Sequence, residues 1–194
     1  VHEKNIIKNN SAKEGDVLIL TKPLGIGIIS TGIKKGLVNK TIYNEVVNTM
    51  IHLNSDAQKI MNSANPSACT DITGYGLLGH LLEMCLGSNL SAEIFYNNIP
   101  FIKSTEQLAK DDIIPGGSKK NLSYVNDKIK FSDSILEYQK FMLADAQTSG
   151  GLLISIPEKN SEFLLDYLNS NSNYQSKVIG RFIEKNKVNI IVNN

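Results

Sequence analysis

The 194 residues predict a single α+β domain, with one mixed β-sheet packed against helices. Three observations carry that prediction. Apolar runs of strand length alternate with stretches whose apolar residues recur at three- and four-residue spacing. Neither an internal repeat nor a long linker divides them. The last two strand-like runs follow one another across a polar turn, which breaks the strict alternation of a doubly wound nucleotide fold. A P-loop or dinucleotide fingerprint is also lacking, because Gly25-Ile26-Gly27 has neither a third glycine nor the later acidic partner.

The elements follow in order. Asp16 to Thr21 is a compact run of strand formers stopped by Pro23 and Gly25, and reads as a buried strand. A short helix follows and ends at Gly36. Residues 41–64 form the longest helical stretch, with Ile42, Val46, Met50, Leu53, Ala57, Ile60 and Met61 on one core-facing stripe and His52 off it, in solvent. A helix from about Tyr75 to Leu86 ends at Gly87 and buries Leu77, Leu78, Leu81, Leu82 and Cys85, so Cys85 reads as a small core residue. His80 adjoins that face as a hydrogen-bonded structural residue. Ala92 to Tyr96 alternates like a strand, a short helix covers about Lys103 to Lys110, and Ile114-Pro115-Gly116-Gly117-Ser118 is a turn that either holds a ligand or reverses the chain. A helix over about Ser134–Leu143 precedes the loop Asp145–Gly151. Leu152 to Ile156 is a strand, Pro157 starts a helix over Glu158–Leu168, and Lys177–Ile183 with Val188–Val192 reads as a terminal hairpin.

Composition narrows the function classes. Lys and Arg number 20 against 19 Asp and Glu, and the signs are dispersed, which argues against nucleic acid or a membrane surface as a partner. The Lys pairs at 34–35 and 119–120 read as solvated faces. No apolar run approaches membrane-spanning length. Cys69 and Cys85 have no metal-type or disulfide spacing, and no signal peptide is evident, so the expectation is a cytoplasmic chain with reduced thiols.

The chemistry concentrates at Thr70-Asp71-Ile72-Thr73-Gly74-Tyr75-Gly76-Leu77-Leu78-Gly79-His80, where a carboxylate at the end of a short apolar run meets a glycine-punctuated turn opening a helix. Glycines let backbone approach another group, and free N–H groups at a helix start favour anions. A phosphate held by backbone, with Mg²⁺ bridging it to Asp71, fits that pattern. The competing reading makes Asp71 an N-cap and the glycines packing residues, and local sequence alone favours it.

Four segments in order, Leu20-Thr21-Lys22-Pro23-Leu24-Gly25-Ile26-Gly27, the Thr70–His80 run, Ile114–Ser118 and Asp145-Ala146-Gln147-Thr148-Ser149-Gly150-Gly151-Leu152-Leu153, closely resemble the C-terminal half of the selenophosphate synthetase (selenide, water dikinase) family. The likeness runs from about Gly15 to Phe182. It implies the C-terminal domain fold of the superfamily that includes aminoimidazole ribonucleotide synthetase, thiamine-monophosphate kinase and a hydrogenase-maturation dehydratase. It divides the chain into a lead-in from an N-terminal domain, residues 1–14, and the C-terminal domain, residues 15–194.

The activity implied is conversion of ATP, selenide and water to selenophosphate, AMP and phosphate, at a site between two domains of a homodimer joined mainly through its N-terminal halves. The nucleophilic Cys or selenocysteine, the catalytic Lys and most metal-binding aspartates belong to that N-terminal half, so Cys69 and Cys85 inherit no catalytic role and this chain alone is expected to be inactive. Asp71 matches the C-terminal aspartate that helps hold Mg²⁺ on the ATP phosphates. Thr70, Thr73, Gly74, Gly76, Thr148, Ser149 and Gly150 are the nucleotide- or phosphate-binding candidates. Ala146 stands where the family usually has Pro, which should loosen that loop slightly. The alternatives are another ATP-using enzyme of the superfamily, such as a thiamine-monophosphate kinase, and a non-catalytic binding module.

Overall fold

The computed structural model describes residues 6–194. The elements run β1 (Asp16–Leu20), α1 (Ile26–Lys34), α2 (Lys40–Ile51), α3 (Ser55–Ala64), β2 (Ala68–Asp71), α4 (Gly76–Ser88), β3 (Ser91–Phe95), α5 (Thr105–Lys110), α6 (Gly116–Val125), β4 (Ile129–Phe131), α7 (Glu137–Leu143), β5 (Leu152–Pro157), α8 (Glu158–Asn171), β6 (Lys177–Ile183) and β7 (Ile190–Asn193), with 3₁₀ turns at Tyr96–Asn98 and Asn126–Lys128. The strands form one sheet in the order β2-β5-β1-β6-β3-β7-β4. Pairing is antiparallel from β2 through β3 and parallel where β7 joins β3 and β4. The predicted α+β class with a mixed sheet is the architecture observed.

The unbroken apolar spelling of β1 has a direct cause. Successive residues of a strand face opposite sides. Leu18 and Leu20 enter a core with Leu77, Leu78, Leu81 and Phe182, whereas Val17 and Ile19 enter a second core with Ala57, Ile60, Leu164 and Leu168. A central strand covered on both faces has no solvent side to carry polar residues. A third apolar cluster, built from Ile26, Ile28, Ile29, Ile42, Val46, Leu108 and Met142, packs α1, α2, α5 and α7 beside the sheet.

The structure corrects several expectations. The terminal hairpin does not form. β3 lies between β6 and β7, antiparallel to the first and parallel to the second, so the polar turn connects two non-adjacent strands. The long helix of residues 41–64 is two helices that serve different cores: Ile42 and Val46 enter the third cluster, while Ala57, Ile60 and Met61 enter the second. Leu53, in the break between them, is 70% exposed. The Ile114–Ser118 segment is not simply a turn, because Gly116 begins α6 with Pro115 at its N-cap. β4 was missed, and three residues on a sheet edge carry too little periodicity to signal a strand. Gly87 lies inside α4, which ends at Asn89 in the left-handed conformation, φ 54°.

Candidate functional site

Asp71 is the last residue of β2, which is an edge strand of the sheet, and it is exposed. It does not cap α4. The N-cap is Tyr75, with no side-chain capping bond, so the N-cap reading of Asp71 is corrected. Its carboxylate has no hydrogen-bond or ion-pair partner among the described residues, which leaves it free to meet a cation. No cluster of three His, Cys, Asp or Glu side chains is present among those residues. Asp71 therefore fits Mg²⁺ as a single carboxylate ligand, the remaining oxygens having to come from phosphates, water or another polypeptide.

The turn after Asp71 is knitted to the Asp145–Gly151 loop. Ile72 N–H donates to the Gly151 carbonyl at 2.8 Å, and Gln147 N–H donates to the Thr73 carbonyl at 2.9 Å. Gly76 has φ +67°, and a Cβ there would lie 2.7 Å from the Ala144 carbonyl group, so close backbone approach does require glycine. Gly74 by contrast is exposed, and a Cβ on it would meet nothing within 4 Å. Thr70 and Thr73 are half-buried, Thr148 and Ser149 exposed, and Gly150 buried under the Ile72 carbonyl.

Sequence reasoning gave Asp145 and Gln147 no individual role, yet they form the hub. Asp145 is fully buried. Its Oδ2 accepts from Gly27 N–H at 2.9 Å, Ile28 N–H at 3.1 Å and Gln147 Nε2 at 3.2 Å, and its Oδ1 accepts from Ser118 Oγ at 2.8 Å. Gln147 Oε1 accepts from the N–H groups of Gly25 and Ile26, both at 3.2 Å. Two side chains thus satisfy four backbone donors at the start of α1, where side-chain capping is otherwise absent. Burial pushes the Asp145 carboxyl up to about 6, and the donors from Ser118, Ile28, Gln147 and Gly27 pull the other way. Asn121 Nδ2, also unforeseen, bridges the Gly74 and Ala144 carbonyls at 2.9 and 3.1 Å. Residues 20–27, 70–80, 114–118 and 145–153 are therefore brought together by direct hydrogen bonds onto one loop. The signal available in the sequence was the shared glycine punctuation of these segments, and nothing in it showed which polar residues hold them.

The remaining polar candidates sit as follows. His80 is buried and its Nε2 lies 3.2 Å from Thr73 Oγ1, which agrees with a structural hydrogen-bonded histidine, while Nδ1 approaches Glu83 Oε2 at 3.4 Å without a hydrogen bond. His52 is half-buried and not simply solvated. Its ring reaches Ser172 Oγ at 3.3 Å, and its carbonyl accepts from Lys22 Nζ at 2.6 Å. Burial raises both thiols to about 12, with Asp71 adding to the shift at Cys69 and Lys185 partly offsetting it at Cys85, so neither is a nucleophile in its resting state. Lys22, separated from the end of β1 by Thr21, is only 1% exposed, and the sequence carries no sign of this because a lysine in a polar junction normally reads as solvated.

The profile of the family described as AIR synthase related protein, C-terminal domain, matches residues 13–193. The chain is 40% identical over 193 residues to the selenide, water dikinase of Aliarcobacter butzleri (strain RM4018), covering 100% of this chain and 56% of that protein. It is 41% identical over 192 residues to selenide, water dikinase 2 of Peptoclostridium acidaminophilum, covering 99% and 55%. The chain thus spans about half the length of the curated relatives it matches. Among solved structures, thiamine-monophosphate kinase from Stenotrophomonas maltophilia K279a superposes with a TM-score of 0.66 at 15% identity, over 96% of this chain and 52% of that one. The hydrogenase maturation protein HypE of E. coli gives 0.65 at 18%, over 96% and 49%. At those identities the likeness speaks to fold alone.

Proposed function

Because the chain belongs to the family of AIR synthase related proteins, C-terminal domain, we propose that it forms the ATP-site-completing half of a selenide, water dikinase. The reaction assigned to the whole enzyme is conversion of ATP, selenide and water to selenophosphate, AMP and phosphate. The observation carrying this reading is the gathering of the four motif segments onto the Asp145–Gly151 loop, beside an exposed carboxylate without a protein partner. Similarity to selenide, water dikinases at about 40% identity favours that reaction over the thiamine-monophosphate kinase alternative, to which only the fold points.

In this reading residues 15–194 are the C-terminal domain and residues 1–14 the lead-in from an N-terminal domain that carries the nucleophile and further carboxylates. That half also makes the homodimer. Asp71 supplies one oxygen ligand to Mg²⁺, and the exposed backbone of Gly74 with the Thr148–Gly150 turn receives phosphate oxygens. Thr70, Thr73 and Gly76 shape the approach. When bound, the ion neutralises charge on the phosphates, and the chain's own part is to position and screen them. The free thiols and balanced charge are in keeping with a cytoplasmic enzyme. Among the described residues no helix is long and apolar enough to cross a membrane.

The test is Asp71→Asn in the longer protein. Selenide-dependent AMP formation should fall by roughly 100-fold or more, with stability changed by less than about 1 kcal/mol. Unchanged activity per folded molecule would remove Asp71 from the site. This chain by itself should release no AMP from ATP and selenide.

A further inference from the structure

Lys22 carries an ammonium that the site described above leaves without a purpose. Nζ donates to the carbonyls of Thr49 at 3.2 Å, His52 at 2.6 Å and Ser149 at 2.9 Å. An ammonium has three protons, so its donors are all engaged and none is free for a ligand. Two acceptors lie at the C-terminal end of α2, where a cation complements the helix dipole. The third belongs to the Thr148–Gly150 turn, on the far side of the chain in sequence.

A second donor reaches that turn from the same place. Asn54, in the joint between α2 and α3, donates through Nδ2 to the Gly150 carbonyl at 3.0 Å. The carbonyls of Ser149 and Gly150 thus both face the joint. In a trans peptide the C=O and the following N–H point in opposite directions. Holding the Ser149 carbonyl inward therefore turns the Gly150 N–H away from Lys22. Ser149 has φ +54°, and the N–H groups of Thr148, Ser149 and Gly150 have no acceptor among the described residues. Successive unpaired N–H groups around a left-handed residue make an anion-binding concavity. Gly151 completes the arrangement: a Cβ there would stand 2.6 Å from the Lys22 nitrogen of the backbone and 2.8 Å from its Cβ, so only glycine lets the two strands close on one another.

We propose that Lys22, seconded by Asn54, is a positioning residue that holds the Thr148–Gly150 turn with the Ser149 and Gly150 carbonyls inward and the Gly150 N–H outward, presented to a nucleotide phosphate. It acts through the turn and touches no ligand. The proposal rests on the reading of that turn as phosphate-binding.

Three forms of the longer protein decide it: wild type, Lys22→Met and Asn54→Ala. The measurements are ATP affinity by calorimetry, ATP-induced deuterium protection of the peptide spanning 147–152, and melting temperature. In the wild type, ATP should protect that peptide. Asn54→Ala should weaken ATP binding about fivefold and remove most of the protection while melting close to wild type. Lys22→Met should weaken binding by more than about tenfold. Should Lys22→Met fail to fold, Asn54→Ala still decides. Variants that fold and retain both wild-type affinity and protection overturn the positioning role while leaving the phosphate reading intact. Absence of protection in the wild type overturns the phosphate reading, and the proposal with it.

Discussion

Truncating Asp145 tests whether the four motif segments are held together in the way described. Asp145→Ala removes the acceptor for Gly27 N–H, Ile28 N–H, Ser118 Oγ and Gln147 Nε2 at a position with no solvent exposure. Each buried donor left unpaired costs roughly 1–3 kcal/mol. Local relaxation and water entry offset part of that, so the expected loss is about 3–5 kcal/mol. For a domain of this size that corresponds to a fall in melting temperature of about 10 °C or more. Asp145→Asn should behave differently, since its amide oxygen can keep the donors of α1 while Ser118 turns to accept from the amide nitrogen.

The two side chains also separate by pH. Burial raises the Asp145 carboxyl from its ordinary 3.8 to about 6. The fold therefore binds the proton more tightly than the unfolded chain does. The stabilisation is complete below about pH 4 and is lost as pH rises through about 6. A shift of that size is worth up to roughly 3 kcal/mol. The stability of Asp145→Asn relative to wild type should accordingly increase by up to about that amount between pH 4 and 7. Thermal melting measures the first effect and urea unfolding at several pH values the second, both followed by circular dichroism. A melting temperature for Asp145→Ala within about 2 °C of wild type would refute the hub, whereas a stability difference between Asn and Asp that does not move with pH would show that the four donors offset burial and leave the carboxyl near its ordinary value.

Other outcomes are expected. Gly150→Ala would drive a methyl into the Ile72 carbonyl and should cost about 1–3 kcal/mol, read by the same unfolding assay; a neutral result would mean the two loops are not in contact. With both thiols raised to about 12, the native chain at pH 8 should react with iodoacetamide far more slowly than the urea-unfolded chain, and rapid native labelling at Cys69 would show that β2 opens readily. Sedimentation equilibrium should find this chain largely monomeric. Calorimetry should find weak Mg²⁺ binding without nucleotide, since one carboxylate rarely holds the ion alone. A tight dimer, or specific Mg²⁺ binding without nucleotide, would assign this half more of the assembly than proposed.

Much of this protein is legible in its sequence. The double-sided burial of β1 follows from its unbroken apolar spelling, and the buried face of α4 from the spacing of Leu77, Leu78, Leu81, Leu82 and Cys85, because burial acts on each residue through its own local period. The need for glycine at position 76 was legible for a similar reason: backbone freedom is written in residue identity. What the chain could not disclose is which distant segments meet. The insertion of β3 between β6 and β7 depends on pairing choices over about ninety residues, which no local pattern encodes. The break at His52–Asn54 reflects two separate cores competing for one helical stretch, and the Thr49 and His52 carbonyls end α2 on the Lys22 ammonium, which comes from the segment after β1. Asp145, Gln147 and Lys22 are ordinary polar residues in sequence. They become central only where folding removes water and leaves backbone donors and acceptors with no other partners, a condition set by tertiary structure alone.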